Sequence, residues 1–218
     1  MNARKITLIG FAAAVCLFFY LGMNAYQKRE QAAQDLQVKA QQARLVRMHS
    51  PVFGPQDAPV TIVEFFDPAC ETCRAFYPFV KHLMAQYPDD VRLVIRYAPF
   101  HRGSDQVVKL LESARSQGKY QTVLEAVLAA QPAWADHGQP DTETAFKVAQ
   151  QAGLDLVKAR QEIAQPGMQA LLQQDIDDLT ALQVTKTPTF FVNGRSLPSF
   201  GPDQLAALVA EEVAKVRK

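Results

Sequence analysis

The apolar positions of the chain fall into three regimes. From Ile6 to Met23 they are continuous: 18 residues carry no charge, directly after Arg4 and Lys5. That length is near the lower limit for a membrane-spanning helix, and a basic pair ahead of an apolar run is the layout of an export signal. No small-x-small cleavage site follows, so residues 1–23 are read as a short cytoplasmic tip and an uncleaved membrane anchor at residues 6–23; a signal peptide is the other reading. Cys16 lies inside the run behind Val15, not behind the small residue that precedes a lipidated cysteine, and is read as a buried membrane cysteine. From Asn24 to Met48 the composition turns to Gln, Ala and charge with no Pro or Gly, which predicts a helical stalk or linker over residues 24–50. Ala33, Leu36, Ala40 and Ala43 repeat at coiled-coil spacing, so self-association through the stalk is one reading and a plain spacer the other.

Pro51, Gly54, Pro55 and Pro59 end the stalk and open a domain that spans 51–218. Val60–Phe66 has five apolar residues of seven, β-branched in its first half, and reads as a buried strand. Asp67-Pro68 marks a turn and a helix start. Phe76, Phe79, Val80, Leu83 and Met84 then recur at i, i+3, i+4, i+7 and i+8, the apolar face of a helix, with Pro78 expected to kink it. Val91–Ala98 is a second strand, and strand, helix, strand makes a βαβ unit. Between Ser104 and Val184 the periodicity is helical throughout, which predicts a helical insertion at about 103–184. Two of its helices are marked by Val107 to Ala114 and Val123 to Leu128; further ones lie near Thr142 to Gln151 and from Leu154 to Leu182, the last interrupted at Pro166-Gly167. Strand chemistry returns at Thr189–Val192, followed by the hairpin signal Asn193-Gly194 and a return strand carrying Leu197. Gly201-Pro202 opens a final helix, with Pro at its first position.

A chain of 218 residues that is 48% apolar can bury a sizeable core, as one domain or one domain with an insertion. Seven basic and two acidic residues give the first 49 positions a formal charge of +5, and the remainder, with 16 basic and 20 acidic residues, carries −4. That domain has no basic stripe of the kind a nucleic-acid partner requires.

Cys70 and Cys73 are the only cysteines outside the N-terminal run. A Cys-x-x-Cys where a strand meets a helix is the arrangement of a dithiol redox centre. At the helix N-terminus Cys70 feels the positive end of the macrodipole and unpaired N–H groups, which favour thiolate and make it the attacking sulfur. Cys73, one turn on, lies on the same face as the resolving thiol. Glu64 interrupts an apolar strand six residues before Cys70; either it is buried with a raised pKa and passes a proton to or from Cys73, or it stands on an edge facing solvent. Thr187-Pro188 directly precedes a strand, where a proline that cannot donate to the ladder occupies a special place, as a cis bond or at an ordinary strand start. His101 follows Pro99-Phe100 at the end of the second strand, the end at which α/β proteins carry their sites, and is read as a surface histidine, with a site residue as the other reading; Trp134, His137 and His82 are read as packing or surface residues, and Asp175, Asp177 and Asp178 as a solvated helix face. No cofactor-binding or metal-binding motif is read. The alternative class is a Cu(I)-binding module, a copper-tolerance clip of two thiolates, Cys70 and Cys73. Such a clip needs neither Glu64 nor Thr187-Pro188. A purely structural disulfide here would constrain only a four-residue loop.

The stretch FFDPACETC with Glu64 upstream, together with TPTFFVNG and the helical block between them, resembles the DsbA-like thiol:disulfide oxidoreductases of the thioredoxin superfamily over roughly residues 59–218. The resemblance implies an α/β thioredoxin fold with an inserted helical domain, here behind a transmembrane helix and stalk. It implies Cys70 as attacking thiol, Glu64 as the buried acid and Pro188 as a cis-proline facing the site. It also implies an extracytoplasmic, periplasmic location in the bacterial envelope, exported proteins as substrates and a membrane redox partner that resets the dithiol. One departure matters: the dipeptide between the cysteines, typically Pro-His in the best-known members, is Glu71-Thr72. A carboxylate beside Cys70 opposes the thiolate, by about 1 kcal/mol at ~4 Å even in water, so a weaker oxidant is expected. Thr187 is similar to the threonine of the envelope disulfide isomerases, which leaves oxidase, isomerase and reductase directions open.

Overall fold

The computed structural model describes residues 20–24, 26, 29 and 41–217. It divides into two compact units, Met1–Ala43 and Arg44–Lys218. In the first, the described residues are helical. The anchor expected at 6–23 falls for residues 6–19 outside the described residues, as does most of the stalk. Among the described residues no helix is long and apolar enough to cross a membrane.

The second unit is built on one five-stranded sheet, ordered β1–β3–β2–β4–β5. Its strands are β1 (Val52–Phe53), β2 (Val60–Phe66), β3 (Val91–Tyr97), β4 (Thr189–Val192) and β5 (Arg195–Ser196). The pairs β2 and β3 run parallel, joined through α1 (Glu71–Gln86); the other pairs are antiparallel. The near-continuous apolar run of β2 follows from its central position, covered on both faces. Val60, Ile62 and Phe66 face one core layer and Val63 and Phe65 the other, as the two-residue period requires. The first layer is closed by Val80 and Leu83 of α1 and by Leu205 and Val209 of α8 (Pro202–Val216).

Between β3 and β4 the chain forms α2 (Ser104–Ser116), α3 (Tyr120–Ala129), α4 (Gln131–Trp134), α5 (Thr142–Gln151), α6 (Leu156–Ile163) and α7 (Pro166–Ala181). The indole N–H of Trp134 donates to the Val127 carbonyl at 2.9 Å, so this ring is fully inside the block. α1 runs through Pro78 without a break. Two local details differ from the sequence reading. The return strand is only Arg195–Ser196, leaving Leu197 just beyond it, while Asn193 (φ 48°) and Gly194 (φ 83°) make the tight turn. And β1, two residues long, carries too little pattern to be read; its register against Leu93 and Val94 of β3 creates it.

The acidic run on α7 is not a solvated face. Asp175 and Asp178 are buried, and only Asp177 is exposed. The cause is Arg96 of β3, itself without exposed surface, whose guanidinium reaches Asp175 at 2.7 Å and Asp178 at 2.8 Å. Arg47 adds a bidentate pair to Asp178 (2.7 and 2.6 Å), and His49 meets Asp175 at 2.7 Å. Buried carboxylates are tolerated when paired and hydrogen-bonded, and here both are. The network fixes the segment entering β1 onto the second core layer, around Phe65, Val94 and Leu179.

Candidate active site

The turn Asp67-Pro68-Ala69 carries the chain from β2 into α1, and its geometry is held by buried polar contacts. The Asp67 carboxylate accepts hydrogen bonds from the backbone N–H of Ala69 (2.8 Å), Phe100 (2.8 Å) and His101 (2.9 Å), and from the Ser104 hydroxyl. It also meets the His101 ring nitrogen Nδ1 at 2.7 Å. Five partners satisfy a carboxylate without exposed surface. From the helical block, the Gln131 side chain donates to the carbonyls of Pro68 (2.8 Å) and Cys70 (3.0 Å). Asp67 and Gln131 therefore fix both sides of the loop that presents Cys70.

Cys70 is the N-cap residue of α1, with extended backbone, and its sulfur accepts the Cys73 backbone N–H at 3.5 Å. Both cysteines are free thiols. The Cys70 thiol is brought down to about 5, first by the hydrogen bond from the Cys73 side chain, against the opposing effect of burial, with help from Thr187 and from the backbone amides of Cys73 and Thr72. Cys73 moves the other way: burial, then the Cys70 hydrogen bond and the charge of Glu64, hold it well above the ordinary thiol value. The two sulfurs are thus chemically unequal. Cys70 is ionised at neutral pH and Cys73 keeps its proton.

Glu64 sits in the middle of the central strand, with Ile95 and Phe190 as its register partners, so it is not an edge residue. Its side chain is 1% exposed, and neither carboxyl oxygen has a hydrogen-bond partner among the described residues. It alternates with Ile62 and Phe66 and so faces the layer closed by α1, where Cys73 and Tyr77 are buried one turn apart. Burial first, then the charge of Cys70, raises its pKa to about 8. A carboxyl in that range exchanges protons readily near neutrality.

The peptide bond Thr187-Pro188 is cis. It enters β4 beside the helix start, where the Cys70 sulfur lies 3.4 Å from the Thr187 carbonyl oxygen, to which it donates when protonated. The β2–β4 register, with Phe65 opposite Thr189, brings Thr187-Pro188 to the end of β2 that leads to Cys70 and Cys73, 117 positions from Cys70 to Thr187, while Glu64 lies further back on the same strand.

Glu71 and Thr72 occupy the first turn of α1 and are exposed. Glu71 is turned toward the helical block, where the His137 ring lies 2.8 Å from its carboxylate. His101, read from sequence as a surface residue, is only partly exposed and is clamped by Asp67. His101, weighed as a site residue from its place at the end of β3, is a neighbour of the site through Asp67. Asp67, Gln131 and His137 are neighbours that the sequence did not single out as site residues; Asp67 had a signal in the Asp-Pro turn before the motif, and the other two reach the site only through the fold. Among the described residues no group of three or more His, Cys, Asp or Glu side chains is arranged to hold a metal ion. The copper reading gains no support, and the dithiol has the buried acid and the threonine-proline bond that a two-thiolate clip does not use.

A family model described as thioredoxin matches residues 46–211. Among curated proteins, the Na(+)/H(+) antiporter NhaA 3 of Salinispora tropica is 34% identical over 162 residues, 73% of this chain and 24% of that protein. The chain spans about a quarter of the length of the first curated relatives it matches. Among solved structures, a thioredoxin-like oxidoreductase from Silicibacter pomeroyi aligns with a TM-score of 0.65 at 29% identity, over 78% of this chain and 94% of the other. The thiol-disulfide exchange protein alpha-DsbA2 from Wolbachia pipientis aligns with a TM-score of 0.67 at 18% identity, over 82% and 97%.

Proposed function

The chain belongs to the thioredoxin family, in its DsbA-like form with a helical block between β3 and β4, and from that premise we propose that it is a thiol:disulfide oxidoreductase acting on exported proteins through Cys70 and Cys73. The observation that carries this is the inequality of the two thiols: an acidic Cys70 at the helix start and a proton-holding Cys73 on the layer that Glu64 faces.

The exchange runs as follows. The Cys70 thiolate attacks one sulfur of a substrate disulfide; that S–S bond breaks, and the leaving sulfur takes the electron pair and then a proton. Cys73 passes its proton to Glu64 in its ionised form, the minor one below about 8, and attacks the Cys70 sulfur of the mixed disulfide. The substrate leaves as a dithiol, and Cys70–Cys73 is a disulfide, two electrons having moved to the substrate. The same steps reversed oxidise a substrate. Thr187, whose carbonyl lies 3.4 Å from the Cys70 sulfur, and the cis-proline after it border the site.

The acidity of Cys70 bears on direction. Attacking cysteines span from about 7 in thioredoxin to about 3.5 in the strongest oxidase, and about 5 for Cys70 falls between them. A weaker oxidant than the strongest members is therefore expected, suited to isomerase or substrate-selective work. The Arg4-Lys5 pair and the apolar run at 6–23 support an inner-membrane anchor with the catalytic domain in the periplasm, reset by a membrane redox partner; the spacing of Ala33, Leu36, Ala40 and Ala43 supports self-association through the stalk.

Replacing Cys73 by Ala and isolating Cys70-linked adducts from the envelope tests the proposal. Exported proteins trapped through Cys70, and lost in Cys70→Ala, support it. An absence of adducts, with no exchange on a disulfide-containing peptide by the wild type, contradicts it.

A further inference from the structure

The residue least suited to the chemistry is Glu71, whose carboxylate follows the attacking cysteine directly. Its surroundings answer that problem. Two loops from outside the Cys-x-x-Cys motif converge on it: residues 98–103, after β3, bring His101, and residues 135–141, after α4, bring His137. The two imidazoles face each other with centroids 5.5 Å apart. His137 engages the Glu71 carboxylate at 2.8 Å, and His101 is oriented by Asp67 at 2.7 Å.

The loops are themselves tied together. The Arg102 guanidinium donates to the Gly138 carbonyl at 3.0 Å, and Asp136 accepts from the N–H of Gly138 and Gln139, both at 2.8 Å. Gly103, at φ 80°, lies against Pro140 and Thr142, where any Cβ would come within 2.9 Å of the Thr142 methyl. The imidazole pair is thus placed by backbone contacts on both sides.

We propose that His101 and His137 are positioning residues for the exchange reaction: His137 holds the Glu71 carboxylate engaged and His101 sets positive charge near Cys70, the pair taking the place of a histidine inside the motif. The local electrostatics support the geometry. Glu71 is held below its ordinary value by its own backbone N–H first and, against burial, by His137 and the charge of His101. Burial works against a charged His101, but the Asp67 hydrogen bond and charge, followed by the charges of Cys70 and Glu71, more than offset it. The other charged or titratable groups on the elements around Cys70 are Glu64 and Cys73 beneath it, Arg74 on α1, Arg102 and Asp136 on the two loops, and Lys186 ahead of Thr187. The Glu71–His137 pair is exposed, so solvent screening limits its worth to the range of surface ion pairs.

The inference rests on the proposed exchange chemistry for its consequence, but its test needs no substrate. Thiolate absorbance of the reduced full-length protein is titrated for the wild type, for H101N, which keeps a donor to Asp67 without the ring charge, for H137A, and for the double variant H137A with E71Q. In H101N and in H137A the thiolate-to-thiol ratio of Cys70 is expected to fall roughly two- to fivefold, as loss of a surface pair implies, and E71Q is expected to restore it in the H137A background. Titrations unmoved in both single variants, with native circular dichroism, would overturn the proposal; so would a loss in H137A that E71Q fails to recover. An unreactive protein with these shifts intact would count against the exchange reading instead.

Discussion

The Cys70 sulfur stands 3.4 Å from the Thr187 carbonyl oxygen, a contact between positions 117 residues apart. The Thr187 side chain acts separately from that carbonyl: its hydrogen bond helps lower Cys70, behind the leading contribution of Cys73. Thr187→Val keeps the shape and removes the hydroxyl, and is expected to reduce the Cys70 alkylation rate at pH 6 by several-fold, on the order of one hydrogen bond. Alkylation of reduced protein checks this.

Glu64 gives the reduced protein an unusual pH dependence. Its carboxyl is raised in the fold from 4.5 to about 8, so the folded state holds a proton that the unfolded chain releases. Its contribution to stability is complete below about 4.5 and is lost as pH rises through about 8. Cys70 has the opposite sign: its contribution is present above 9.0 and lost as pH falls through about 5. The difference between Glu64→Gln and wild type isolates the first effect. Denaturant unfolding should show the variant gaining on wild type by a few kcal/mol between pH 4.5 and 8, at roughly 1.4 kcal/mol per pH unit separating folded and unfolded titrations.

Asp67 organises the site without facing a substrate. Asp67→Ala leaves three backbone N–H groups, a hydroxyl and the His101 ring without their acceptor. A loss of about 3–5 kcal/mol is expected, as for one partner of a buried charged contact, read by thermal and denaturant unfolding. Gln131→Ala removes donors to Pro68 and Cys70 and should cost about 1–3 kcal/mol, together with a slower exchange rate.

Arg96→Met tests the buried network on the opposite sheet face. It leaves Asp178 with Arg47 as its cationic partner and Asp175 with the hydrogen-bond partner His49. A destabilisation of about 3–5 kcal/mol is expected, with the Cys70 titration unchanged, because the network lies on the face away from Glu64.

These residues also mark what can be read from a chain and what cannot. The strand at Val60–Phe66, the helix after Cys70, the strand at Thr189–Val192 and its Asn193-Gly194 turn are written in local periodicity and turn chemistry, which neighbours a few positions away determine. Asp175 and Asp178 have the composition of a solvated helix face, and their burial depends on Arg96, 79 positions distant for Asp175. His101, His137 and Gln131 reach the site only because two loops and a short helix of the inserted block close over it. Glu71 was legible as a problem for the thiolate; the imidazole that answers it was not, since nothing near His137 in sequence points toward Cys70.

On this mechanism Cys70 is the acidic, attacking thiol and Cys73 the protonated, resolving one. The two are distinguished by the pH dependence of iodoacetamide labelling of the reduced full-length protein, with the labelled cysteine identified by peptide mass. Labelling confined to Cys70, with a midpoint near 5, is the predicted result. A midpoint at the ordinary thiol value near 8.5, or labelling of Cys73 ahead of Cys70, would contradict it.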